Sequence, residues 1–132
     1  MKPIAIKENH LYKKVYAGGK KMGGRYTVIY VLKDKKAYLL KKAHPEKKLV
    51  NRIGITVSKK IGGAVQRNRA KRVIRAAFSA ACGEREIKKG FLVVICARED
   101  ATTAKSTDIL AEMRNQLERL EMYADKKEDG QC

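Results

Sequence analysis

Residues 52–97 place the tightest limit on the fold of this chain. The segment RIGITVS at 52–58 alternates, with Ile53, Ile55 and Val57 facing one way and Gly54, Thr56 and Ser58 the other. That is the two-residue period of a strand. Gly62-Gly63 then open a turn. From there to about Ala81, the apolar residues Ala70, Val73, Ile74, Ala77, Phe78 and Ala81 recur in steps of three and four, one stripe of an amphipathic helix. FLVVICA at 91–97 is a continuous apolar run, the pattern of a central strand buried on both faces. A strand, a helix and a buried strand in succession predict a sheet layered with helices.

The flanking segments fit that architecture. Leu11, Val15 and the pair Tyr12/Tyr16 fall at four-residue spacing in a short helix over 8–17, which Gly18-Gly19 end. YTVIYVLK at 26–33 reads as a strand from its β-branched and aromatic content. A short helix is expected from Ala37 to Ala43 before Pro45, and a helical turn at Glu84–Lys89 that stops at Gly90. Ser106 or Thr107 should cap the last helix, with Asp108 in its first turn and Ile109, Leu110, Met113, Leu117 and Leu120 on its apolar face. The order is α-β-(α)-β-α-β-α in one domain over 1–124. A charged tail at 125–132 is expected to be disordered.

Charge then narrows the function. The chain carries 31 Lys and Arg against 14 Asp and Glu, a formal net charge of +17. Residues 1–46 hold 12 basic and 3 acidic groups (net +9). Residues 47–83 hold 10 basic groups and no acid (net +10), and residues 84–132 hold 9 and 11 (net −2). Segregation of this kind predicts one side that binds a polyanion and one neutral side. No apolar run approaches the ~20 residues of a membrane span, and MKPIAIKENH lacks the apolar core of a signal peptide. Cys82, Cys96 and Cys132 are odd in number and have no CxxC spacing, which argues against a disulfide framework or a zinc site. Cys82 and Cys96 are expected as small buried hydrophobes. A cytoplasmic protein follows, with neither a membrane nor a small-molecule substrate as partner.

The helix after the glycine turn concentrates the signal. At roughly 100° per residue, Arg67, Lys71 and Arg75 form a ridge beside the apolar stripe. Arg69 and Arg72 continue around the far side, with Asn68 between them. A helix that needs only solubility interleaves Glu with Lys to gain i,i+4 pairs, yet no acid stands among these five cations. Four of them are Arg, whose planar guanidinium grips phosphate bidentately and stacks on bases. Lys59 and Lys60 precede the turn. The glycines let a backbone come close to a ligand, and the helix start adds partial positive charge. The stretch Ser58–Arg75 therefore reads as an RNA-binding element. A solvated helix face is the bland alternative.

The block Ser58-Lys59-Lys60-Ile61-Gly62-Gly63-Ala64-Val65-Gln66-Arg67-Asn68-Arg69-Ala70-Lys71-Arg72 resembles the signature of the protein subunit of bacterial ribonuclease P. Asn51-Arg52-Ile53-Gly54 and Phe91–Arg98 resemble that family's flanking strands, and Tyr12-Lys13-Lys14-Val15-Tyr16 with Gly19-Lys20 its N-terminal motif. The likeness covers most of residues 8–120. Gly63 stands where the family commonly has Asn, Tyr12 replaces a usual Phe, and the lysine-rich segment 34–50 is longer than the usual connection.

The resemblance implies an α/β (α+β) two-layer sandwich, a small mixed sheet packed by helices. It also implies a left-handed βαβ crossover, against the usual hand, as in the ribosomal protein S5 domain 2-like fold. It implies an endoribonuclease that removes the 5′ leader of precursor tRNA, in which an RNA subunit performs the hydrolysis with Mg²⁺. Matched residue by residue, Lys59, Lys60, Arg67, Asn68, Arg69, Lys71, Arg72 and Arg75 would contact the catalytic RNA. Tyr12, Tyr16 and Tyr30, with Lys59 and Arg67, would hold the leader. Stacking of single-stranded RNA on aromatics beside a basic groove, at ~1–3 kcal/mol per base, agrees with that role, although such tyrosines can also simply close a core edge. Two other readings remain open, a non-enzymatic RNA binder such as a ribosomal protein and a nuclease acting alone. The second needs clustered carboxylates or His. The first 83 residues offer only Glu8, Asp34, Glu46, His10 and His44, scattered, so no catalytic and no metal-ligating residue is expected in the chain.

Overall fold

A computed structural model of the chain describes residues 4–46 and 50–124. Its strands are β1 (Ile4–Ala5), β2 (Lys20–Gly23), β3 (Thr27–Lys33), β4 (Arg52–Thr56) and β5 (Phe91–Ala97). Its helices are α1 (Asn9–Gly18), α2 (Lys35–Ala43), α3 (Ala64–Glu84) and α4 (Ser106–Arg119). The strands form one mixed sheet in the order β1-β4-β5-β3-β2. The apolar strand β5 is central as expected, antiparallel to β3 along its whole length and parallel to β4.

Strand alternation on β5 creates two cores. Val93 and Ile95, with Ile29 and Val31 of β3, pack under Ile74 and Phe78 of α3 and Met113 and Leu117 of α4. Leu92 and Val94 point the other way, toward Leu11 and Val15 of α1. The sheet and α3/α4 make the main two-layer body, and α1 lies across the opposite face. The stripe foreseen on α3 is the buried one: Ala70, Ile74, Ala77, Phe78 and Ala81 are all buried.

Several boundaries differ from the expectation, each for a non-local reason. β1 and β2 exist only through pairing, β1 beside β4 and β2 beside β3. The helical turn expected at Glu84–Lys89 is absent. α3 runs on to Glu84, and the chain then extends, with Ile87 bridging Tyr123. Lys88 N–H donates to Met122 O (2.7 Å) and Ala124 N–H to Glu86 O (2.9 Å), so this segment takes its backbone partners from the far end of the chain. Ser106 is the first helical residue of α4 rather than its cap. Lys105 holds the cap position, and its N–H donates to the Asp108 carboxylate (3.4 Å). Cys82 and Cys96 are half-buried rather than buried. The expected tail at 125–132 and Cys132 lie outside the described residues.

Two polar clamps fix the connections. Asp34, only 3% exposed, accepts from Arg52 Nε (2.7 Å) and Nη2 (2.9 Å) and caps α2 by accepting from Ala37 N–H (3.4 Å). The Asp34 N–H donates to Gly90 O (2.9 Å). Gly90 has a φ of 86°, the left-handed region that favours glycine, and lies against the Tyr38 ring. On the other side of the sheet, the Glu112 carboxylate accepts from the N–H groups of Arg25 (2.6 Å), Tyr26 (3.1 Å) and Thr27 (3.0 Å) and so closes the β2–β3 turn. Gln116, buried on α4, donates to Thr27 O (2.9 Å) and Met22 O (3.2 Å).

Replacing Arg52 by Met would leave the Asp34 carboxylate buried without its partner. Such a change is expected to cost ~3 kcal/mol or more, read as a lower urea midpoint at unchanged m-value.

Candidate nucleic-acid interface

The N-terminal half of α3 is built as a cationic surface. Ser58 Oγ accepts from Lys60 N–H (3.1 Å), which fixes the 3-10 turn Lys59–Ile61 after β4. Gly62 and Gly63 lead into α3, which starts without a side-chain cap. Its first N–H groups are therefore open to an outside acceptor. Arg67 is half-buried, and its Nε donates to Gly62 O (3.2 Å), bracing the turn. Asn68, Arg72 and Arg75 are exposed, as are Lys59 and Lys60; Lys71 is half-buried. Among the described residues, no ion pair involves any of these cations or Arg69. The other end of α3 contrasts. Glu84 receives a bidentate grip from Arg114 (2.9 and 2.6 Å), which lowers the carboxyl's pKa, and Arg85 faces Glu118 (3.6 Å).

The three tyrosines come together on the opposite face of the sheet, beside α1. Register aligns Lys21, Tyr30, Val94 and Gly54 in one row across β2, β3, β5 and β4, with Val28, Cys96 and Thr56 in the next row that faces α1. The Tyr12 hydroxyl rests on Gly54, where a Cβ would lie 2.7 Å from the ring carbon Cε1; a side chain there would force the ring to shift. Tyr16 meets Tyr30 edge to face with centroids 5.0 Å apart. Its hydroxyl lies 3.5 Å from Cys96 Sγ. Enclosure of the hydroxyl, then the Cys96 contact, pushes the Tyr16 pKa up to about 12; burial, then Cys96, raises that of Tyr12. Tyr16 is still 43% exposed, so it remains accessible while its hydroxyl meets Cys96. Tyr12 and Tyr30 also pack on the second core, so the core-edge reading holds for part of each. From this cleft, β4 continues through Thr56 to Lys59 and the start of α3. Tyr16 thus lies beside Thr56, at the strand end from which the chain enters the basic helix.

A family model described as Ribonuclease P matches residues 1–121. The chain belongs to the ribonuclease P protein family. It is 35% identical over 117 residues to the ribonuclease P protein component of Clostridioides difficile, covering 89% of this chain and 91% of that one. It is 36% identical over 115 residues to that of Clostridium acetobutylicum, covering 87% of each chain. The solved ribonuclease P protein of Staphylococcus aureus superposes with a TM-score of 0.71 at 27% identity, over 93% of this chain and all of the other. The protein from Thermotoga maritima shares the fold, with a TM-score of 0.66 at 23% identity, over 87% of this chain and 96% of that one.

Within this ribonuclease P protein, sequence reasoning passed over two residues and a packing contact of a third. Val65 is 81% exposed among the cations of α3, an apolar side chain with no burial to explain it. Lys21 enters the tyrosine row only through strand register. Arg69 does not point freely to solvent. It is half-buried, and its Nη1 donates to Thr102 O (2.8 Å), tying α3 to the 3-10 turn Glu99–Thr102. Arg69→Ala is expected to lower stability by about 1 kcal/mol, or roughly 3–5 °C in Tm. Arg72→Ala, on the exposed face, should stay within about 0.5 kcal/mol. Thermal melts of the two variants separate these outcomes.

Proposed function

We propose that this ribonuclease P protein docks onto a catalytic RNA subunit through Lys59, Lys60, Arg67, Asn68, Arg69, Lys71, Arg72 and Arg75. In the same reading it holds the 5′ leader of precursor tRNA on Tyr12, Tyr16 and Tyr30 beside Lys59 and Arg67. The observation that carries this reading is that the end of β4 links the aromatic cleft on one face of the sheet to the acid-free N-terminal half of α3. Arg69 would make its RNA contact while one of its N–H groups also holds the helix through Thr102 O. The chemistry belongs to the RNA subunit, and the holoenzyme is an endoribonuclease that works in the cytoplasm on precursor tRNA.

Among the described residues, the chain's own donor set does not fit a Mg²⁺ site. Among the described residues, no group of three or more His, Cys, Asp or Glu comes together. Asp34 is bound to Arg52 with Glu8 3.6 Å from the same guanidinium, and Glu112 is held by backbone N–H groups. The Mg²⁺ of the reaction is accordingly placed on RNA phosphates, and no protein side chain is assigned a catalytic step.

Reconstitution tests the division of labour. The protein alone should not cleave precursor tRNA, and addition of its cognate RNA subunit with Mg²⁺ should yield mature 5′ ends. Robust Mg²⁺-dependent cleavage by RNA-free protein would refute it. Tyr16→Ala should weaken holoenzyme binding of precursor by ~1–3 kcal/mol, the worth of one stacked base, and leave mature tRNA unaffected. Equal losses on both substrates would remove the leader role.

A further inference from the structure

α1 divides its face of the sheet into two grooves. One flank carries Tyr12 and Tyr16. The other carries His10, Lys14 and Ala17, which form the wall of a second groove of about 670 Å³ whose far side is the β3–α2 junction. Lys33, Lys35 and Lys36 line that junction, and Leu32 and Leu92 line the groove with them. Arg52, Asp34 and Glu8 also line it, and the two carboxylates more than offset the charge of Arg52. The lysines therefore give the groove its net positive charge. Among the described residues, Lys14, Lys35 and Lys36 have no ion pair. Lys35 and Lys36 also occupy the first turn of α2, where the helix dipole disfavours a cation. Two unopposed lysines at that end suit an outside anion, not the stability of α2.

The groove is pre-formed. Asp34 is pinned by Arg52 and by the Gly90 carbonyl, and Tyr38 anchors the next turn, its hydroxyl donating to Lys89 O (3.4 Å). Between the two grooves, the crest of α1 bears exposed Lys13. A helix is about 10 Å across with its side chains, a short step for a single strand.

We propose that this second groove binds the phosphate backbone of the 5′ leader upstream of the nucleotides in the tyrosine cleft. The proposal rests on the leader-holding role above. It differs in chemistry from the cleft: the ligand is the phosphate chain, gripped by Lys14, Lys35 and Lys36 without base reading. The face it lies on favours the leader over the catalytic RNA, because the groove shares α1 with the tyrosines while α3 packs on the other side of the sheet.

The test uses reconstituted holoenzyme and precursor tRNAs whose leaders are about five or about fifteen nucleotides long, spanning the usual range of single-strand site sizes. The triple variant Lys14→Gln, Lys35→Gln, Lys36→Gln should bind the long-leader precursor ~10-fold or more weakly, with its log–log salt slope reduced by about 2. Binding of the short-leader precursor should not change. Equal loss for both leaders would assign the lysines to the catalytic RNA, and no loss would make them a solvated rim; either result overturns the proposal. Lysine acylation of the wild-type holoenzyme, read by mass spectrometry, gives the same answer without a variant. Lys14, Lys35 and Lys36 should be protected by the long leader only, and protection by the RNA subunit alone would overturn the assignment. If wild-type holoenzyme binds precursor and mature tRNA equally, the leader-holding role itself fails. If it discriminates between them but not between leader lengths, only the second groove fails.

Discussion

β5 lies between β3 and β4 with Val93, Val94 and Ile95 wholly excluded from water, and its two-sided burial divides the molecule. Val93 and Ile95 demand a cover on one face and Val94 on the other. α3 and α4 supply the first cover and α1 the second. Each cover turns a different outer surface to solvent. α3 buries its alanine-rich stripe and presents arginines. α1 buries Leu11 and Val15 and leaves two flanks, one aromatic and one basic. The separation of the cationic surface of α3 from the tyrosine surface beside α1 thus begins with the alternation of one apolar strand.

Several acidic groups in this ribonuclease P protein clamp one element to another, Asp34 from a buried position and Glu84 and Glu118 at the surface. Asp34 joins β3, α2 and β4 through Arg52, Glu112 holds the β2–β3 turn, and Glu84 and Glu118 tie the end of α3 to α4. Charge-assisted hydrogen bonds of this sort are worth more when partly removed from water. With those carboxylates engaged elsewhere, no ion pair opposes the cations of Lys59–Arg75 among the described residues. A net charge of +17 is then a directed field capable of steering a polyanion.

Periodicity made the large elements readable. The α3 stripe, the alternation in β4 and the apolar run of β5 each report burial along a single segment, and each stands where the pattern put it. The cationic face of α3 was equally legible, because a helix's geometry converts spacing directly into sides. The short edge strands β1 and β2 were not legible, since KKMG at 20–23 has no strand pattern and is ordered by its partner. The extended segment after Glu84 was hidden for the same reason: its hydrogen bonds run to residues 122–124.

The sequence by itself determined a βαβ-containing domain, a basic helix with nothing to neutralise it, and three tyrosines able to share a surface. Those properties follow from local spacing and residue chemistry. Only the tertiary structure decided that Gly54 makes room for the Tyr12 ring, that Arg69 also bonds Thr102, that Lys21 joins the tyrosine row, and that α1 has a second, lysine-lined flank. Each of these depends on which distant segments lie side by side, and that is fixed by packing around β5, not by any local pattern.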